Sequence, residues 1–170
     1  LKMYENIFNE NDMLRLQNLL RARKQSITAA ESCTGGLVAS MITKVAGSSD
    51  IFNGSIVTYS NKIKNQELNV QNETLEKFGA VSSEVVKEML EGVINKFNAN
   101  YAIAISGIAG PGGATINKPI GTVVIGICDD KYYKMVDVYT FKGSREEVQI
   151  QAAKYSLKKI LEFIENTLDK

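Results

Sequence analysis

The chain has 170 residues, 44% hydrophobic and 23% charged, the makeup of one globular domain with a proper core. Its formal net charge is +1, with the lysines scattered, so it has no strong field to draw it to nucleic acid or a membrane surface. No apolar run approaches the roughly 20 residues that span a bilayer, and no charged-then-apolar leader opens the residues given. Two well-separated cysteines, Cys33 and Cys128, suit a reducing, cytoplasmic setting better than a disulfide framework. The chain contains no histidine, which removes Ser-His-Asp and Cys-His catalysis and His-based zinc sites. Any nucleophile needs another base: lysine, tyrosine, a carboxylate or an oxygen-held metal.

In chain order, Asp12 to Lys24 predicts an amphipathic helix, with leucines at 14, 16, 19 and 20. Ser26-Ile27-Thr28-Ala29 reads as a strand that runs into the small-residue turn Glu31-Ser32-Cys33-Thr34-Gly35-Gly36. A helix with apolar positions 37, 38, 41, 42 and 45 follows, ended by Ala46-Gly47-Ser48-Ser49. Ile51 to Tyr59 holds a second strand, clearest from Gly54 to Tyr59, and a short helix is expected over 62–68. Asn72 is placed as the cap of another short helix that ends at Gly79, and Ser82 or Ser83 as the cap of a longer one. That longer helix has Val85, Val86, Met89, Leu90, Val93 and Phe97 on its apolar face.

Tyr101 to Ile105 is a nearly continuous apolar strand of the kind buried on both faces. It empties into Ser106-Gly107-Ile108-Ala109-Gly110-Pro111-Gly112-Gly113. This connection holds both prolines, and five of the chain's 13 glycines lie between 107 and 121, so a specially shaped loop is expected. Gly121 to Cys128 and Tyr132 to Phe141 read as a hairpin pair of strands. Ser144-Arg145-Glu146-Glu147 is a capping box that opens a last helix with Ala153, Leu157, Ile160, Leu161, Ile164 and Leu168 on one face. Helices alternating with strands, then a late hairpin, predict a three-layer α/β/α domain. Its sheet is mixed and largely parallel, with about five or six strands. The whole of 1–170 is read as that one domain.

In open α/β sheets ligands collect beyond the carboxyl ends of strands. Three loops leave such ends here: the Ser32 turn, Tyr59 to Lys64, and the Gly/Pro loop from Ser106. Their convergence would let Lys62 or Lys64, held neutral by burial, take the proton of Ser32, with Tyr59 orienting the lysine or relaying the proton. The turn N–H groups near Thr34-Gly35-Gly36 suit either the oxyanion of an acyl transfer or a phosphate. The same residues also admit plainer readings. Ser32 and Thr34 are ordinary helix caps, Lys64 a surface charge, Tyr59 sheet packing, and Cys33 a buried thiol or a rival nucleophile. Arg145, at a helix start, meets either a phosphate or solvent.

Four segments in register resemble the CinA C-terminal domain, the nicotinamide-nucleotide amidase family. They are Thr28 to Gly36, Val57-Thr58-Tyr59-Ser60-Asn61 with Lys64, Gly79-Ala80-Val81-Ser82, and Ser106 to Gly113 continuing through Lys118-Pro119-Ile120-Gly121-Thr122-Val123. The resemblance runs from about Leu14 into the last helix. It implies hydrolysis of the carboxamide of nicotinamide mononucleotide, giving nicotinate mononucleotide and ammonia in pyridine nucleotide salvage. It places the nucleophile at Ser32, its lysine partner at Lys64 rather than Lys62, and a third member at Tyr59. The accompanying substrate-binding set is Glu31, Cys33, Thr34, Gly35, Gly36, Ser106, Gly107, Ala109, Gly110 and Arg145. No cofactor, metal, nucleic acid or membrane partner is implied, and the assembly expected is a homo-oligomer, a dimer. Relatives often carry a second arginine one turn past Arg145, where this chain has Gln149. The rival reading is a non-catalytic nucleotide-binding or regulatory module of the same fold.

Overall fold

The computed structural model describes residues 3–166. Helix α1, Glu10–Ala22, begins at the capping box of Asn9 and Asp12, two residues before the expected start. Its buried face is Met13, Leu16, Gln17 and Leu20, and Leu14 lies exposed. Strand β1 is Ile27–Glu31, fully buried and two residues longer at its end than predicted. Helix α2 is Leu37–Thr43. Strand β2 shrinks to Ile56–Val57, with Phe52 making only an isolated bridge to Ile27. The cause is local: the Thr28 hydroxyl donates to the Gly54 carbonyl, so a side chain occupies a place the ladder would use.

Helix α3, Asn61–Leu68, is capped by the Ser60 hydroxyl, which accepts from the Ile63 N–H. Helix α4 is Asn72–Phe78, so Asn72 is its first helical residue and not its cap, while Gly79 closes it as expected. Ser82 caps α5, Ser83–Phe97. Strands β3 (Tyr101–Gly107), β4 (Thr122–Asp129) and β5 (Lys134–Thr140) precede α6, Arg145–Asn166. The capping box of Ser144 and Glu147 opens α6 as predicted, with both reciprocal bonds made. Leu168, assigned above to its apolar face, lies outside the described residues.

The sheet has five strands in the order β2-β1-β3-β4-β5. Both pairings of β1 are parallel, while β3 with β4 and β4 with β5 are antiparallel, so β4 alone runs against the other strands. Side chains alternate between two cores. Ile103, Ile105, Ile125 and Ile127 face α1, α2 and α6. Ala102, Ala104 and Val124 face α5 and the end of α3. Each fully buried aliphatic side chain contributes about 1.5–3 kcal/mol relative to exposure. Among the described residues no helix is long and apolar enough to cross a membrane.

Two consequences of this topology place the site. The ends of β1, β2 and β3 share one edge of the sheet, and β5, running the same way, ends there too. It therefore delivers the start of α6 to the loops after β1, β2 and β3. The second consequence comes from Gly92 in α5. A Cβ there would stand 2.2 Å from the Leu68 carbonyl oxygen, so only glycine lets α5 press against the end of α3. That contact holds α3 down over the sheet, and α3 carries Lys64.

Candidate active site

The three loops converge. A cavity of about 250 Å³ is lined by Ser32 and Cys33 from the first, Tyr59, Asn61 and Lys64 from the second, and Ser106 to Gly110 from the third. Gly112 and Gly113 of the third loop, Ala80 and Val81 just before α5, and Arg145 complete the wall.

Ser32 follows β1 directly, and its N–H donates to the Ile105 carbonyl of the neighbouring strand. Its side chain then falls on the α5 side of the sheet, where α3 lies. Gly35 donates back to the Ser32 carbonyl, closing a tight turn, and Gly36 at φ 101° starts α2 from the left-handed region. Lys64 sits one turn into α3 with its Nζ 3.0 Å from Ser32 Oγ, and the lysine is 1% exposed. No carboxylate pairs with it among the described residues. Burial without a counter-charge disfavours the ammonium, and the pKa is lowered from 10.5 to about 8. Near neutrality a useful fraction of this amine is free to accept a proton.

Cys33 is buried beside them, and burial pushes its thiol up to about 12. A protonated thiol is a weak nucleophile, which leaves the hydroxyl as the group with a base in contact. The carbonyl of Cys33 accepts from Gln149 Nε2 at 2.9 Å. Gln149 lies one turn past Arg145 in α6, and its amide ties α6 to the Ser32 turn.

The remaining predicted residues divide. Tyr59 is 61% exposed, and its hydroxyl accepts from Arg145 Nη2 at 2.8 Å. Arg145 Nη1 donates to the Gly110 carbonyl at 2.6 Å, so one guanidinium joins the second and third loops across the cavity mouth. Glu31 faces away from the cavity. Its carboxylate accepts from the Thr34 hydroxyl at 2.7 Å and from the N–H groups of Val38 and Ala39 at 2.9 and 3.1 Å. It caps the first turn of α2 from within the fold, a role its place before Ser32 does not reveal. Thr34, Gly35 and Gly36 line a neighbouring depression with Ser40, Glu146 and Gln149 rather than the Ser32 cavity. Ser106, Gly107, Ala109 and Gly110 are where expected. Asn61, Ala80 and Val81 were overlooked as wall residues, although each lies in a segment that carried the family resemblance.

Residues 10–164 match the CinA C-terminal domain family. The chain belongs to that family. The nicotinamide-nucleotide amidohydrolase PncC of Enterobacter agglomerans is 47% identical over 148 residues, 86% of this chain and 90% of that protein. A CinA-like protein of Syntrophomonas wolfei is 45% identical over 84% of this chain, but the match takes in only 34% of that longer protein. Among solved structures, a CinA superfamily protein from Klebsiella pneumoniae and the competence/damage-inducible protein CihA from Agrobacterium tumefaciens each superpose with a TM-score of 0.88 at 33% identity. The first match covers 92% of this chain and 97% of the other, the second 92% and 94%.

Proposed function

We propose that the protein is an amidase that converts nicotinamide mononucleotide to nicotinate mononucleotide and ammonia through a Ser32 nucleophile and a Lys64 base. The observation that carries the reading is the 3.0 Å contact between Ser32 Oγ and a buried lysine amine whose pKa is lowered to about 8. The correspondence with a nicotinamide-nucleotide amidohydrolase, over 86% of this chain and 90% of that protein, supports the substrate class.

In this reading neutral Lys64 takes the Ser32 proton as Oγ attacks the carboxamide carbon. The cavity mouth, with Arg145 and Tyr59, receives the polar end of the nucleotide. The proton held by Lys64 passes to the amide nitrogen as ammonia leaves; water then attacks the acyl ester, and neutral Lys64 accepts its proton and returns one to Ser32. The experiment is ammonia release from nicotinamide mononucleotide by the purified protein, followed across pH. Steady release supports the enzyme. Binding of the nucleotide with no ammonia at any pH would make the protein a binding module instead.

A further inference from the structure

Amide hydrolysis has a second proton problem that Ser32 and Lys64 do not solve by contact alone. The amide nitrogen leaves only when protonated, and the proton must travel to it from Lys64, whose Nζ contacts the attacking Ser32 Oγ. The structure holds a second hydroxyl at this place. Glu31 of β1 is in register with Ile105 of β3, so the next residues, Ser32 and Ser106, lie side by side at the ends of adjacent parallel strands. Alternation along the strands puts both on the same face. Ala104, two residues before Ser106, packs on the α5 side, where Lys64 also lies. Ser106 is 1% exposed and lines the same cavity as Ser32 and Lys64. Its hydroxyl makes no hydrogen bond to the protein among the described residues. A buried hydroxyl left open toward a cavity is a group awaiting a partner.

Resting on the amidase reading above, we infer that Ser106 is a further catalytic residue, a hydroxyl that relays the Lys64 proton to the leaving nitrogen. As the tetrahedral intermediate collapses, the Lys64 ammonium donates to Ser106 Oγ while Ser106 gives its own proton to the amide nitrogen. The C–N bond breaks, ammonia departs, Lys64 is neutral again, and the acyl group stays on Ser32 Oγ. The relay consumes nothing and leaves Ser106 unchanged.

The test compares two leaving groups through kcat/KM, which reports steps up to acylation. One substrate is nicotinamide mononucleotide. The other is an aryl ester of nicotinate mononucleotide, whose phenolate leaves without a proton. Ser106→Ala is expected to lose about 100-fold on the amide and to stay within about threefold of the native chain on the ester. Ser106→Thr and Ser106→Val form an isosteric pair that differs by the hydroxyl alone, with thermal melts confirming the fold. The threonine variant is expected to keep amide activity and the valine variant to lose it. Equal losses on amide and ester, or equal amide activity in the threonine and valine variants, overturn the relay while leaving the amidase reading intact. A native protein inactive on both substrates overturns that reading and the relay with it.

Discussion

The floor and the mouth of the cavity are built on opposite principles. The floor residues, Ser32, Cys33, Lys64 and Ser106, are all buried, and burial sets their chemistry by freeing an amine and silencing a thiol. At the mouth, Tyr59 and Arg145 are exposed, and their hydrogen bonds join separate loops. Chemistry that depends on a shifted proton equilibrium needs exclusion of water, while recognition of a charged, soluble nucleotide needs a wet entrance. The comparison implies that damage to the floor stops turnover and damage to the mouth weakens capture.

The sharpest break is at the floor. Ser32→Ala and Lys64→Ala are each expected to lower ammonia release at least about 1,000-fold, and the double variant little further, because the pair acts as one unit. Cys33→Ala is expected to keep most activity. An active Ser32→Ala beside an inactive Cys33→Ala would move the nucleophile to sulfur.

The next effect is in pH. Lys64 must be neutral to accept a proton, and its pKa is about 8. The efficiency kcat/KM is therefore expected to climb about 50-fold from pH 6 to pH 8 and to level off above about pH 9, with the fold intact throughout. An efficiency that falls across that interval would remove Lys64 as the base.

At the mouth the losses are smaller. Arg145→Ala is expected to cut efficiency on the nucleotide about tenfold, from the loss of charge-assisted hydrogen bonds, and to leave the riboside nearly unaffected. Equal losses on both substrates would confine Arg145 to joining Tyr59 with Gly110. Tyr59→Phe, which keeps the ring and removes one hydrogen-bond partner of Arg145, is expected to cost about threefold. If Tyr59→Phe fell as far as Lys64→Ala, Tyr59 would belong to the floor's proton chemistry and the division would fail.

The sequence revealed the two halves unequally. Ser32 and Lys64 are legible because each sits in a short motif at a strand end, and the missing histidine points to a lysine base. The bond between Tyr59 and Arg145 spans 86 positions and depends on β5 running parallel to β3, which local pattern does not specify. In sequence, Glu31 reads as a substrate contact because a carboxylate stands beside a candidate nucleophile. Its actual partners are the N–H groups at 38 and 39, seven and eight residues on, which become neighbours only when the tight turn folds α2 back. The second strand was overestimated because a threonine hydroxyl competing for a carbonyl leaves no trace in hydrophobic alternation.

The buried amine also bears on how firmly the molecule holds together. Lys64 has a pKa of about 8 in the fold and 10.5 in its ordinary state. Between these values the unfolded chain binds a proton that the native chain does not, so stability rises with pH across that window. Below about 8 the unfavourable contribution is present in full, so at neutral pH the amine in contact with Ser32 works against folding. Lys64→Met, similar in length and uncharged, is expected to melt higher than the native chain at pH 7, with the difference shrinking as pH rises from about 8 to 10.5. Such a variant would be the more durable protein and an inert one, and the native residue marks where selection for turnover outweighed selection for thermal resistance.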